Sequence, residues 1–403
     1  MEPYLGLGAA LARAGHRVRV TAPAAFEARV RQAGLDAFPV EPDPRLVSDG
    51  AGPPRWLESS ALAGGTRWLR GARAGSSLGI AFSGYLEASR GADVVLHPPW
   101  LSPVARTIAE ICGCHPLPAY LAPLHPTRSF PSPFMDFAGP PRWNYVTHLL
   151  ALRTARAALR GVPNAWRSQV AGLAPAAIDF LPPNGEVCLY GFSHSLQPPP
   201  PDWPPGTLVT GPWWLEVGDD WRPPEAVVRF LQAPGKVVYL GFGSMLDVQP
   251  RKLNGVIEAA LTRLGCRAIV LVGPGGLLDL PSSGRLLAVR DIPLDWLFRR
   301  VDAVVHHGGA GTTAQAARSG KPTFAVPFFA DQRFWGDRLH RAGGGPCPIP
   351  RRAVSPLRLA EAIDAALNDP VIAERAANLG TRVRAEAGLS TAVRAIEGRF
   401  LGG

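Results

Sequence analysis

Lysine is nearly absent from this chain of 403 residues. Lys236, Lys252 and Lys321 are the only three, so the net charge of +10 comes almost entirely from arginine. The arginines are spread along the chain and no nucleic-acid motif accompanies them, so no nucleic-acid partner is expected. Cysteine is scarce as well. Five cysteines, odd in number and scattered, fit a reducing compartment better than a disulfide framework. Cys112-Gly113-Cys114-His115 resembles half of a metal site, but no second pair completes it, and no metal is expected. The chain also lacks any run approaching the roughly 20 apolar residues that span a bilayer. Glu2 and Arg13 interrupt what would be the apolar region of a signal peptide. Neither Gly241-Phe242-Gly243 nor Gly273-Pro274-Gly275-Gly276 completes the G-x-G-x-x-G fingerprint of a dinucleotide site. The cytoplasm is the expected location.

What the chain has is length and alternation. At 403 residues, with 46% hydrophobic and 18% charged residues, it fits two globular domains rather than one core. In the first half, residues 17–22 and 92–97 read as strands, 101–113 as a helix and 145–172 as a long helix or helix pair. A proline-rich segment at 198–205 precedes a strand-like stretch at 207–210. Residues 213–224 then mix prolines, acids and tryptophans, with a helix starting near Glu225. Alternation restarts at Lys236, with strands at 237–240, 268–272, 286–289, 303–305 and 323–327 and helices between them. That order implies right-handed crossovers and a doubly wound parallel sheet. The expected boundaries are a first domain over 1–213, a linker over 214–226, a second domain over 227–384 and a C-terminal segment over 385–403.

Two neighbouring turns carry the chemistry. The apolar run 303–305 reads as a buried parallel strand, and His307-Gly308-Gly309-Ala310-Gly311-Thr312-Thr313 then opens a helix. Free N–H groups and the positive end of the helix dipole favour an anion there, and glycines let the backbone approach it closely. Thr312, Thr313 and His307 add hydrogen-bonding side chains. A core histidine satisfied by backbone is the alternative for His307, while His306 alternates to the other face and reads as structural. The next apolar strand ends in Asp331-Gln332, where another helix starts. Asp331 could cap that helix. Beside Gln332, its carboxylate also suits the hydroxyls of a sugar. Ligands of open parallel sheets bind beyond the carboxyl ends of the strands, so both turns face one crevice and together suggest a nucleotide sugar.

His307-Gly308-Gly309-Ala310-Gly311-Thr312-Thr313 followed by Pro327-Phe328-Phe329-Ala330-Asp331-Gln332-Arg333-Phe334-Trp335-Gly336 resembles the donor signature of UDP-sugar-dependent glycosyltransferases with two Rossmann-like domains. The sterol-glucosyltransferase-like branch looks nearest. Further matches are Val238-Tyr239-Leu240-Gly241-Phe242-Gly243-Ser244-Met245, Ile292-Pro293-Leu294-Asp295-Trp296-Leu297-Phe298 and His125-Pro126-Thr127-Arg128-Ser129-Phe130-Pro131-Ser132-Pro133, so the likeness covers nearly the whole chain.

The resemblance implies an α/β fold of two Rossmann-like doubly wound domains facing a central cleft, the first binding acceptor and the second nucleotide sugar. The last helix, near 391–401, would pack back on the first domain. His307, Gly308, Gly309, Gly311, Thr312, Thr313 and Ser244 would hold the diphosphate, and Asp331 and Gln332 the sugar. Asp291-Ile292-Pro293 would edge the base, with the Ile292 backbone on a uracil and Trp296 either beside it or in the core. The donor would be a UDP- or dTDP-sugar, with no metal and no cofactor. The acceptor would be a hydrophobic small molecule or lipid, reached with transient contact at a membrane surface, by a monomer or weak dimer.

Relatives open with a strand and a glycine-rich loop ending in an acid, where this sequence has Met1. Without that central strand, roughly four buried side chains worth ~1.5–3 kcal/mol each are missing, against a domain stability of about 5–15 kcal/mol. The true chain is expected to start upstream, or this copy to be impaired. The family's base sits on that loop, so the catalytic residue is unknown here. His97, His125, His194 and Asp136 are the substitutes to test.

Overall fold

The computed structural model describes residues 1–41, 77–136, 139–216, 218, 221–243, 250–272 and 284–400. Ser244 and the glycine cluster 273–276 lie outside them. The chain divides into two compact units. Unit 1 comprises Met1–Phe192, Pro199–Leu215 and Ala387–Gly403, and unit 2 comprises Ser193–Pro198 and Glu216–Glu386.

Unit 1 runs α1 (Glu2–Arg13), β1 (Arg19–Ala22), α2 (Glu27–Gln32), β2 (Asp36–Pro39), α3 (Ser77–Ala88), β3 (Val94–His97), α4 (Ser102–Cys112), β4 (His115–Tyr120), α5 (Asn144–Leu159), α6 (Gly161–Ala171), β5 (Cys188–Tyr190) and β6 (Thr207–Val209). All its strand pairs are parallel, and they form two sheets, β1-β2 and β3-β4-β5-β6. Among the described residues β1 pairs with β2 alone and β3 with β4 alone. Side chains alternate across the larger sheet. Leu117, Ala119 and Leu189 pack on α1 through Leu7 and Leu11, and on the last helix through Ala392 and Ile396. Val95 faces the other way, toward Phe82, Val104, Ile108 and Trp166. The last helix enters so closely that a Cβ at Gly388 would stand 2.1 Å from the Pro212 carbonyl oxygen.

Unit 2 runs α7 (Glu225–Gln232), β7 (Val237–Gly241), α8 (Pro250–Leu264), β8 (Arg267–Leu271), β9 (Leu286–Val289), α9 (Leu294–Phe298), β10 (Ala303–His306), α10 (Ala310–Ser319), β11 (Thr323–Ala325), α11 (Gln332–Arg341), α12 (Pro356–Asn368) and α13 (Pro370–Arg384). The final helix, α14 (Gly388–Phe400), belongs to unit 1. The unit 2 sheet is parallel throughout, in the order β11-β10-β7-β8-β9. β7 and β10 are buried along their whole length, as their unbroken apolar sequences require of strands covered on both faces. One face buries Val238, Leu240, Val305 and Phe324 against Leu253, Ile257, Leu359 and Ile363. The other buries Tyr239, Ile269 and Val304 against Val227, Leu297 and Phe298. Asp369 caps α13, its carboxylate accepting from Val371 N at 2.8 Å and Ile372 N at 3.3 Å.

Local pattern did not announce β2, β4 or β5, and β4 carries Pro116 and Pro118. β2 carries Asp36 and Pro39, both poor strand formers, and β5 is only three residues long. No described helix is long and apolar enough to cross a membrane.

Candidate functional site

In unit 2 the chain enters the sheet at β7, builds β8 and β9 to one side, then returns to build β10 and β11 on the other. The reversal falls between β7 and β10, and an open parallel sheet has its ligand crevice at the carboxyl ends of such a pair. His306 pairs with Gly241 on one side and with Ala325 on the other, so three strands end together.

The turn after β10 is built by its own residues. The Gly308 N–H donates to His306 Nδ1 at 2.9 Å. A ring nitrogen that accepts carries no proton, so the His306 proton sits on Nε2, which is buried without a partner. Burial pushes His306 down to about 3, with a smaller contribution from His307, so it stays neutral. Gly308 has φ +88°, and a Cβ there would meet the Gln332 carbonyl oxygen at 2.5 Å. Thus the backbone of the first turn lies directly against the backbone of the second.

His307 turns its ring over Gly243, where a Cβ would stand 3.2 Å from the imidazole. A Cβ at Gly309 would meet its Nε2 at 2.4 Å, so glycine is what leaves the ring its place. Its Nδ1 is buried and has no partner. Desolvation lowers His307 to about 4, so at neutral pH it offers one N–H and one lone pair rather than a positive charge. Helix α10 follows with Gly309 at its N-cap and no side-chain cap. Thr313 is fully buried and its hydroxyl donates to Gly309 O at 2.9 Å, which occupies it within the helix start. Gly311 and Thr312 remain half-buried in the first turn.

The second turn contains Ala330 at φ 55°, the one non-glycine residue with positive φ among those described. Left-handed backbone at an L-residue is strained, and the next residue is Asp331. Asp331 occupies the N-cap position of α11 but makes no side-chain cap, so capping does not account for it. Its carboxylate instead accepts from Trp335 Nε1 at 2.9 Å. Burial raises its carboxyl above the usual aspartate range, against the pull of that hydrogen bond. Gln332 is buried, and its Oε1 accepts from Phe328 N at 2.8 Å and Phe329 N at 3.3 Å. The amide oxygen therefore braces the loop, a use that its sequence position did not suggest.

Beyond β9, Ile292 is packed into the core beside Leu297 and Phe298, which leaves its backbone for any ligand. Trp296 is half-buried, edge-on to Trp221 at 5.3 Å and with the Arg300 guanidinium 4.2 Å over its ring. Three strand spacings separate β10 from β9, about 14 Å in all along the carboxyl edge of the sheet.

One buried polar group of α10 escaped sequence reasoning. Gln315, in α10, has a buried Oε1 with no hydrogen-bond partner. A lone glutamine on an otherwise apolar-to-small helix face was the available signal, and it was too weak to single out.

The four substitute bases fall in different places. His125 is buried in unit 1, with its Nδ1 2.8 Å from Tyr190 Oη. That hydroxyl already accepts from Leu124 N at 3.0 Å and His125 N at 3.1 Å, so its proton points to Nδ1 and the His125 proton sits on Nε2. Such a ring donates from Nε2 and cannot take a proton there. His97 donates from Nδ1 to Pro98 O at 3.2 Å, which leaves Nε2 unprotonated, and it lines a cavity of about 360 Å³ with Arg106 and His115. Desolvation holds it down to about 4. His194 belongs to unit 2, where its N–H and that of Ser195 donate to Glu386. Asp136 is exposed. Among the described residues no group of three or more His, Cys, Asp or Glu side chains could hold a metal ion.

Residues 273–394 match the family described as erythromycin biosynthesis protein CIII-like, C-terminal domain. The chain is 32% identical to sterol 3-beta-glucosyltransferases of Emericella nidulans and Neosartorya fischeri, over 98% of its own length. It spans 29% and 28% of those relatives. Among solved structures, the glycotransferase of kitacinnamycin superposes with a TM-score of 0.66 at 21% identity, covering 99% of this chain and 95% of that one. The glycosyltransferase VinC, solved in complex with dTDP, superposes with a TM-score of 0.64 at 18% identity, covering 100% and 96%.

Proposed function

We propose that this homologue of the two-domain glycosyltransferases moves a hexose from a UDP- or dTDP-sugar to a hydroxyl of a hydrophobic acceptor, with inversion. The observation that carries the proposal is the contact of Gly308 with the Gln332 carbonyl, which brings the phosphate turn and the sugar turn together at the switch point of the unit 2 sheet. His307 Nδ1, in the first of these turns, and Gln315 Oε1, in the helix that follows it, are buried polar atoms without partners. Buried polar groups are costly unless bonded, so each is available to a ligand group or a water. His307 and the N–H groups at the start of α10 would bind the diphosphate. Gln315 would accept from a donor hydroxyl, and Asp331 would hold sugar hydroxyls. Ile292 and Trp296 would edge the base.

In transfer, the acceptor oxygen attacks the anomeric carbon as the bond to the diphosphate breaks, and the acceptor's hydroxyl proton passes to a poised carboxylate or imidazole. Charge then grows on the leaving phosphate, where the α10 dipole and the His307 N–H stabilise it without a metal. A single displacement inverts the centre. The names of the relatives support an apolar acceptor such as a sterol-like lipid or a polyketide-type metabolite.

Binding without transfer is the second reading. It draws support from His125, which is buried and paired with Tyr190, and from the exposed position of Asp136. His97 is then the substitute to mutate first. Calorimetry with UDP and dTDP tests the donor site, and failure of both to bind would refute either reading. Transfer from UDP-glucose to a panel of apolar alcohols separates enzyme from binder.

A further inference from the structure

Residues 139–178 contain no aspartate or glutamate but include Arg142, Arg153, Arg156, Arg160 and Arg167. Within this stretch lies α5, led in by the turn Pro141–Trp143. At 100° per residue, Asn144, Thr147, His148 and Leu152 share one side, and all four are buried. Trp143, Tyr145, Val146, Leu149 and Leu150 share the opposite side and are exposed, Leu149 by 47% and Leu150 by 49%. Exposed apolar side chains are ordinary when single. Five on one helix face within eight residues form a patch that asks for a partner. Arg142, Arg153 and Arg160 fall on the same side and are exposed, and the Arg128 guanidinium lies 5.6 Å over the Tyr145 ring.

We infer that this face of α5 docks on an anionic lipid bilayer surface, with the apolar side chains in the headgroup–acyl boundary and the arginines on lipid phosphates. A tryptophan and a tyrosine beside leucines, bordered by arginine and free of acids, is the composition of a helix that lies in the interface plane. The charge complement selects the partner: the exposed helix face itself carries arginines and no acid, so it is attracted by a negatively charged surface. Arg156 and Arg167 are held by Asp179 and Glu110, and Asp202 lies beside Arg128, which leaves Arg142, Arg153 and Arg160 for headgroups. The inference extends the hydrophobic-acceptor reading but does not depend on glycosyl transfer, because the docking is measured without any sugar donor.

Sedimentation with vesicles of phosphatidylcholine and phosphatidylglycerol tests it. The full chain is expected to pellet with mixed vesicles at low salt and to be released as salt rises. Leu149→Glu combined with Leu150→Glu should abolish pelleting. Arg153→Gln combined with Arg160→Gln should weaken it roughly thirtyfold, at about fivefold per arginine near the surface. Arg358→Gln with Arg382→Gln, two exposed positions in unit 2, is the control for the overall positive charge. The inference is overturned if the wild type stays in the supernatant, if the leucine pair has no effect, or if the unit 2 control weakens binding equally. It is also overturned if sedimentation velocity shows a dimer that the leucine variant converts to monomer, since a second copy then covers the face. Circular dichroism and a thermal scan of every variant confirm folding, and UDP calorimetry run separately keeps this outcome apart from the donor-site test.

Discussion

Replacing Gly308 with alanine puts the apposition of the two turns to the most direct test. A Cβ at this position would stand 2.5 Å from the Gln332 oxygen and 3.1 Å from its carbonyl carbon. Both atoms are backbone, so no side chain can swing away. Residue 308 also has φ +88°, a conformation that costs an L-residue about 1–2 kcal/mol. Relieving the overlap adds about 1–3 kcal/mol if the core shifts as other overpacked sites do. The total of roughly 2–5 kcal/mol should lower the melting temperature by roughly 4–20 °C for a domain of this size. The strain can be relieved only by moving the turns apart, which misaligns N–H donors from the diphosphate. Loss of one charge-assisted hydrogen bond, about 1.5–3 kcal/mol, weakens UDP binding roughly 10–150-fold. Calorimetry with UDP and a thermal scan read both effects. Gly309→Ala is the comparison, because there the added carbon meets the movable His307 ring, and the stability loss should be smaller. A Gly308→Ala protein that melts with the wild type and binds UDP equally well would refute the reasoning.

Three further outcomes follow from the site. Burial holds His306 at about 3 and His307 at about 4, while an unfolded histidine titrates near 6.5. Their contribution is complete above pH 6.5 and is lost as pH falls toward the folded values, at about 1.4 kcal/mol per pH unit per ring. Denaturant unfolding at pH 7 and pH 5.5 checks this, and equal stability at the two would contradict it. Protonated His306 also cannot accept from Gly308, so UDP affinity should fall with it. Because desolvation raises the Asp331 carboxyl, its charge costs stability at neutral pH, and the cost vanishes as pH drops below the folded value. Asp331→Asn keeps an acceptor for Trp335 and should melt no lower than wild type at pH 7, while sugar transfer falls more than UDP binding; the opposite order would discredit the sugar role. Gln315→Ala removes an unpartnered buried acceptor, so the free protein should gain slightly in stability while donor affinity drops about 2–12-fold, one hydrogen bond of about 0.5–1.5 kcal/mol. Unchanged donor affinity would remove Gln315 from the site.

The sequence by itself determined the glycine turn after β10 and the succession of strands on either side of it. Unbroken apolar runs at 237–240 and 303–305 and the glycines after His307 are local signals, because a strand buried on both faces and a helix start that admits an anion each depend on residues close in the chain. Short or mixed stretches such as β2 and β5 carry no such signal, since three or four residues hold too little pattern to distinguish a strand from a loop. Which polar atoms are already engaged was decided only by tertiary structure. Gln332 lost its amide oxygen to Phe328 and Phe329, His125 received its proton arrangement from Tyr190, and Gln315 was left unpartnered. So too the bare face of α5: the sequence gives the stripe, but its exposure depends on whether any other element packs there. Hydrogen bonds and burial are relations between segments far apart in the chain, and local periodicity holds no record of them.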